Sequence, residues 1–343
     1  MDYVYKKEKY MGFNLNNGYG LLEMVRNIAQ LPVMGKVFFV CPTSDPNYDR
    51  LAQMIKPDHT GGPSQVRLYT TVPEANAAMT TNAHDVMVCS ANAGHTISAM
   101  LDVSKSRCHF IGMGGRDGSM GMGARTRWTM GTTTAATDLG VMKNTGSGNT
   151  FTGIKFDSSN TKAESLYSVV EAGEYAIYRG CEIYKSSDLD DAGASELALN
   201  GDSAQFFNCT IGSTANITGN IRPNVLLTGG IVAGKKARDC YFENCMFMAK
   251  ADDTDKVFVY GANATDVERS LTFKGCTFFN NPLSAGTPAA AIAFGAAQTE
   301  GAVFCDANCA VVDVTVMGTT GQNIFVSPAD GSTYATAGLS VSS

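Results

Sequence analysis

Charge is scarce in this chain: Asp, Glu, Lys and Arg together make up 17% of its 343 residues. What charge there is carries an acidic balance of -6, so the basic surface that nucleic acid requires is absent. No apolar run approaches the length needed to cross a bilayer, and the opening MDYVYKKEKYMGFN lacks the apolar stretch of a secretory leader. The expectation is a soluble protein made in a cytosol, with no nucleic acid and no membrane among its partners. Histidine is rare too. His59, His84, His95 and His109 are scattered without a serine or cysteine partner pattern, so no hydrolase triad is named. Ten cysteines are too few for a disulfide scaffold in a chain of this size. Cys240 with Cys245, and Cys305 with Cys309, lack the spacing of a zinc site and have no histidine near. Buried, reduced thiols are expected, and no metal or other cofactor. Gly229 to Lys236 (GGIVAGKK) stops short of a phosphate-binding loop, because Lys236 stands where a hydroxyl would hold magnesium and a strand follows where a helix should. The acids Asp188, Asp190 and Asp191, and Asp252, Asp253 and Asp255, cluster in loops without the order of a calcium loop. The sequons at Asn208, Asn216 and Asn263 mean little without secretion.

What is present is glycine, 36 residues of it, and a short phrase repeated through the second half. The phrase reads aromatic-x-(Gly or Asn)-(Cys or Ile)-x-apolar. It occurs as FTGIKF from Phe151, YRGCEI from Tyr178, FFNCTI from Phe206, FENCMF from Phe242, FKGCTF from Phe273 and, more loosely, DANCAV from Asp306. Repetition at a few tens of residues marks a solenoid, whose units bury their apolar faces only by stacking. The third position, Gly153, Gly180, Asn208, Asn244, Gly275 and Asn308, holds residue types that tolerate positive φ, which predicts a sharp bend in every unit. Ile154, Cys181, Cys209, Cys245, Cys276 and Cys309 then form one inward ladder, and Phe156, Ile183, Ile211, Phe247, Phe278 and Val311 a second. The period of two sends Lys155, Glu182, Thr210, Met246, Thr277 and Ala310 outward, and puts Thr152, Arg179, Phe207, Glu243, Lys274 and Ala307 in another outward column. A β-sandwich is the alternative, but its hairpins do not need one bend residue at every crossing. Neither outward column stacks acids on adjacent units, as a glycosidase pair would require, so the chain is not expected to be an enzyme.

Taken in order, residues 1 to 20 read as an extended arm whose Tyr3, Tyr5, Tyr10 and Phe13 suit burial against another subunit, or else as a disordered tail. Leu21 to Gln30 has helical spacing and is stopped by Pro32. Lys36 to Cys41 reads as a strand. Asp45 and Pro46 offer an N-cap and a first-turn proline for a helix through Leu51 and Met54. Strands are expected at 65–70, 85–89 and 108–113, with a helix near 73–79. Arg125, Arg127 and Trp128, after the glycine-rich loop 112–123, are types favoured at binding hot spots, although a packed Trp beside an Arg-rich turn is the plainer alternative.

The DVMVC strand from Asp85, the turn Gly94-His95-Thr96 and the FIGMG strand from Phe110 resemble the first coils of pectin-lyase-like right-handed β-helices. The stretch from Val40 to Gly115, CPTSDPNYDRLAQMI included, looks like that of structural proteins of tailed-phage virions, of the head-decoration or spike type. His84 departs from the glycine usual before Asp85. The resemblance implies an all-β, single-stranded right-handed parallel β-helix with a small α/β N-terminal region and an arm. It implies residues 1–35 as arm and short helix, 36–130 as the capping lead-in, 131–316 as rungs and 317–343 as a C-terminal cap or tail. It implies further a capsid decoration protein located in the virion, docking through its N-terminal region onto the major capsid protein or another virion protein. Self-association, as a homotrimer, is part of the same expectation. The alternative is a tail spike or fibre that binds host surface glycans or, as the lesser expectation, cleaves them.

Overall fold

The computed structural model describes residues 35–55, 66–114, 126–130, 140–159, 165–186, 193–214, 222–227, 232, 234–281, 283, 286–319 and 321–327. Within these, 27 strands and two short helices build a right-handed parallel β-helix with three faces. The first face has eleven strands, from Val66–Tyr69 at one edge to Ile324–Val326 at the other. The second runs over eight strands from His95–Ile97 to Ala310–Val312, and the third over eight from Leu101–Val103 to Val316–Gly318. One coil shows the plan. Thr150–Thr152 lies on the first face, Ile154–Ser158 on the second and Val169–Glu171 on the third, and Ile177–Arg179 then starts the next coil in register beside Thr150–Thr152.

The repeated phrase is the corner between the first and second faces. Its third residue turns the chain in the left-handed region, with φ of 64° at Gly153, 56° at Gly180, 52° at Asn208, 53° at Asn244 and 60° at Gly275. Asn308 does not share this conformation; there the chain closes a turn from the Cys309 amide to the Asp306 carbonyl. Because Asn serves at two of the corners, Gly180→Asn is expected to fold normally. Gly180→Val should cost about 1–3 kcal/mol, since a β-branched residue is strained at positive φ. Urea unfolding of the two variants checks this, and equal midpoints would refute it.

Inside the coil the side chains stack at the strand spacing of about 4.8 Å. The phrase's first residue makes a continuous column of rings. Centroids are 4.9 Å apart for Phe110–Phe151, 4.7 Å for Phe151–Tyr178, 4.7 Å for Tyr178–Phe206, 4.5 Å for Phe206–Phe242 and 5.1 Å for Phe242–Phe273. Ile154, Cys181, Cys209, Cys245, Cys276 and Cys309 are buried beside it. Each of these thiols donates to the backbone carbonyl of the ring residue one coil earlier, for example Cys181 to Phe151 at 3.4 Å and Cys245 to Phe206 at 3.4 Å. Burial pushes the Cys181 and Cys209 thiols well above the usual range, which leaves them poor nucleophiles. All ten cysteines are buried free thiols.

Two helices finish the N-terminal end, each for a different side of the first face. Helix α1, Tyr48–Met54, lays Leu51 on the outward side, in a cluster with Ile55, Val37, Phe39, Val86, Val88 and Ile111. It starts later than Asp45 and Pro46 suggest, because the Asp45 carboxylate accepts from the Asn47 amide and stabilises a turn ahead of the helix. Helix α2, Val72–Ala78, is capped by Thr71, whose hydroxyl accepts from the Glu74 amide at 3.4 Å. It contributes Val72 and Ala75 to the interior core, which Met79 just past its end joins. Lys105 donates to the carbonyls of Asn76, Ala77 and Met79, where the helix dipole favours a cation.

Candidate functional site

With the interior given over to packing, chemistry has to come from outward side chains, and the second face presents a compact set. On the strands Thr126–Met130, Ile154–Ser158 and Glu182–Lys185, alternate residues point out, and the register sets Arg127 beside Lys155, Lys155 beside Glu182 and Asp157 beside Tyr184. Arg127 reaches Asp157 at 2.5 Å and Lys155 reaches Glu182 at 2.6 Å. The Ser186 hydroxyl donates to Asp157 at 2.7 Å, and the Lys155 ammonium sits 4.5 Å from the centre of the Tyr184 ring. Asp157 is buried, whereas Arg127 is half exposed. Burial raises the Glu182 carboxyl above its ordinary range, opposed by the Lys155 ammonium. Both acids of this set are engaged by cations, Asp157 by Arg127 and Glu182 by Lys155, so the face carries a network of ion pairs. The sequence columns contain Lys155 and Glu182 but miss Asp157, which lies two residues beyond Lys155, in a column that the repeated phrase does not reach.

The first face carries a row of rings on its outward side. Phe207 and Tyr241 lie on adjacent strands with centroids 6.0 Å apart, and the Arg179 guanidinium stands 5.0 Å from the Phe207 ring centre. The Tyr241 hydroxyl donates to Glu243 at 3.0 Å, and Lys274 donates to the same carboxylate at 3.1 Å. Further along, Phe304 and Phe325 stack at 5.5 Å, with Phe304 44% exposed. Arg179, Phe207, Glu243 and Lys274 belong to an outward column legible in the sequence. Tyr241, Phe304 and Phe325 do not.

One ionisable centre lies inside the coil. Glu171 is fully buried at the end of a third-face strand, where it accepts from Asn144 Nδ2 at 2.9 Å, the Gly173 amide at 2.7 Å and the Tyr178 hydroxyl at 2.5 Å. Burial pushes its carboxyl up to about 7 despite these donors. At the corner between the second and third faces, Arg222 pairs with Glu196 at 3.3 Å, both buried, and the Lys185 ammonium donates to the Ser165 carbonyl at 2.5 Å. These groups tie loops to the coil.

The histidines do not assemble a triad. His95 Nε2 lies 2.9 Å from the Ser90 backbone carbonyl. His84 Nδ1 faces His109 Nε2 at 3.1 Å, and His109 Nδ1 faces the Thr150 hydroxyl at 2.8 Å. Burial, aided by the neighbouring His84, lowers His109 to about 4. Among the described residues no group of three or more His, Cys, Asp or Glu is placed to hold a metal.

Of the residues singled out for interaction, Tyr3, Tyr5, Tyr10, Phe13 and Arg125 lie outside the described residues, as do the segment 21–30 and Asp188, Asp190 and Asp191. Trp128 is corrected: it points into the coil, fully buried, edge-on to Phe110 at 6.0 Å and to Phe156 at 5.4 Å. Its place on the strand has the inward parity of Phe156, so it offers no partner surface. Arg127, one residue earlier, is the outward one. Lys235 and Lys236, at the end of the GGIVAGKK stretch, pair with Glu174 at 3.1 Å and Glu300 at 2.5 Å. Asp253 accepts from the Asp255 amide within its own loop.

No protein family matches the sequence, and no curated protein does. Solved structures are similar in fold. A pectin methylesterase in complex with a hexasaccharide is 10% identical, covering 87% of this chain and 82% of its own, with a TM-score of 0.47. A pectate lyase is 10% identical, covering 85% and 79%, with a TM-score of 0.45. The ORF18 protein of Geobacillus virus E2 is 8% identical, covering 90% and 62%, with a TM-score of 0.43. The expectation that the chain is not an enzyme is corrected accordingly. Solved structures similar in fold include a pectin methylesterase and a pectate lyase, which are enzymes.

Proposed function

We propose that the chain is a structural protein of a tailed-phage virion, a capsid decoration protein that docks through residues 1–35 onto the capsid lattice and works as a homotrimer. The observation that supports it most is mechanical. One hydrophobic core runs from Phe38 to Val326 around the buried Glu171–Asn144 site, with rings and thiols in register from coil to coil, so stiffness extends along the whole axis. Each coil then buries its apolar edges on its neighbours, and local opening has to break several stacks at once. Such a column suits a part that has to survive outside a cell while presenting its faces to the surroundings. The tyrosine-rich arm supplies the docking element of this reading, since Tyr gives large contact area at modest entropic cost.

Copy number in purified particles tests the assignment: hundreds per particle are expected of a decoration protein, and a dozen or fewer would overturn it in favour of a spike. Removal of residues 1–20 is expected to abolish association with particles while the far-ultraviolet signature of β-structure persists. Retained association would refute the role of the arm.

A further inference from the structure

We propose that copies of this chain associate side by side with their axes parallel, the C-terminal part of the first face of one copy lying on the C-terminal part of the second face of the next. This arrangement rests on the homotrimer reading and adds to it the two surfaces and their direction. Apolar side chains reach the outside in one region of the column. On three successive strands the second face turns outward Met246 and Met248, then Thr277 and Phe279, then Ala310 and Val312, all in register. Val312 is 39% exposed, and Leu283, just past the strand Thr277–Asn280, is 87% exposed. Around the corner, at the same end, the first face presents the stacked rings of Phe304 and Phe325. Single exposed apolar residues need no explanation, but two sets on adjoining faces of the same coils make a patch of the kind that marks an interface.

Toward the N-terminal end both faces turn polar together. The second face shows Arg127, Lys155, Asp157 and Glu182, and the first shows Thr150, Thr152, Arg179 and Gln205 on the matching coils. That gradient selects the partner and its direction. A second copy set parallel, coil against coil, brings rings and methionines together at one end and polar side chains together at the other. An antiparallel copy would press Phe304, Phe325 and Val312 onto Arg127, Lys155, Asp157 and Glu182, and would take those ion pairs out of water against rings. Contact of first face with first face would leave Met248, Phe279 and Val312 in water. Contact between unlike faces covers both sets with one kind of interface, and a heterologous contact of this sort closes into a ring when the rotation axis runs along the coils. The ridge that then faces the ring's axis is the corner of the repeated phrase. Gly180, Asn208, Asn244, Gly275 and, in the last coil, the exposed Ala307 and Asn308 line it with short side chains, so neighbouring ridges can approach closely.

Light scattering on the full chain after size-exclusion chromatography reads the assembly directly. The wild type is expected at three copies. Phe304→Glu, which blocks the first face, and Phe279→Glu, which blocks the second, are each expected to run as single copies. Both side chains point outward, so circular dichroism and thermal unfolding should show the coils intact; Val312→Lys, at a more exposed position on the second face, is the substitute if Phe279→Glu does not fold. An equimolar mixture of the two blocked variants is expected to form pairs and nothing larger, because the intact second face of one still fits the intact first face of the other. Tyr175→Ser, at the corner between the third and first faces, is the control and should leave three copies. A wild-type trimer that both variants leave intact would overturn the interface and leave the homotrimer reading standing, whereas a monomeric wild type would overturn both. Single copies or trimers in the mixture, or loss of assembly in Tyr175→Ser, would refute the pairing of unlike faces.

Discussion

Phe242→Ala is expected to lower the stability of the coil by about 3–5 kcal/mol, the range for truncating a fully buried ring. Phe242 lies between Phe206 at 4.5 Å and Phe273 at 5.1 Å, and it also meets the Phe247 ring of the second inward column at 5.6 Å. Its backbone carbonyl accepts from the Cys276 thiol. Alanine therefore removes contacts on three sides, and a parallel coil cannot close the gap, because every strand is held by hydrogen bonds to the coil before and the coil after. Denaturant unfolding followed by circular dichroism measures the loss. In a solenoid the damage also breaks the chain of nearest-neighbour couplings, so the single transition should broaden or split into two as the coils on either side of residue 242 lose contact. A shift below 1 kcal/mol with an unchanged slope would show that the ring column is not what holds the coils together.

Glu171 should make the protein less stable as the solution turns from acid to neutral. Its carboxyl is raised from the ordinary 4.5 to about 7 in the folded chain. Between those values the unfolded chain has released the proton and the folded chain still holds it, so rising pH draws the equilibrium toward the unfolded state. Stability is greatest below pH 4.5, falls through the interval up to about 7 and is level above it as far as this group is concerned. At about 1.4 kcal/mol per unit the change is on the order of 3 kcal/mol, with no reduction for solvent screening because the group is fully buried. Tyr178 keeps its proton throughout, since burial first and then the Glu171 charge push it far up. Glu171→Gln has nothing to titrate there. The difference in unfolding free energy between wild type and variant, measured from pH 4 to 8, should change by about 3 kcal/mol over that interval, because groups such as His109, lowered to about 4, contribute alike to both proteins; parallel curves would rule the account out.

These two residues also mark what can and cannot be read along the chain. Phe242 is legible because the corner is one residue long in five of the six repeats, so the phrase keeps its phase from Phe151 to Phe278 whatever happens elsewhere. Glu171 is not. It belongs to the third face, whose strands are joined to the others by segments of varying length, and nothing local says that Glu171 shares a level with Asn144 and Tyr178. Asp157 was hidden for a related reason, since it lies beyond the repeated phrase and diagonal to Glu182 across two strands. Trp128 stayed open between a partner surface and the packed reading that the structure shows, because the phrase begins at Phe151, one coil too late to give its parity. The start of α1 was misjudged because an Asp-Pro pair serves a turn as readily as a helix N-terminus.

The single tryptophan is a built-in optical gauge of one end of the molecule. Trp128 is the one indole in the chain and sits among rings of the first coils, away from water. Its emission should be blue-shifted in the native state and should move to the red only when those first coils open. Backbone circular dichroism reports all coils together, so a lag between the two signals gives the direction in which the column unravels. Red-shifted emission ahead of the ellipticity change would mean that it frays from the helix-capped end, and the reverse order would mean that it frays from Val326 inward.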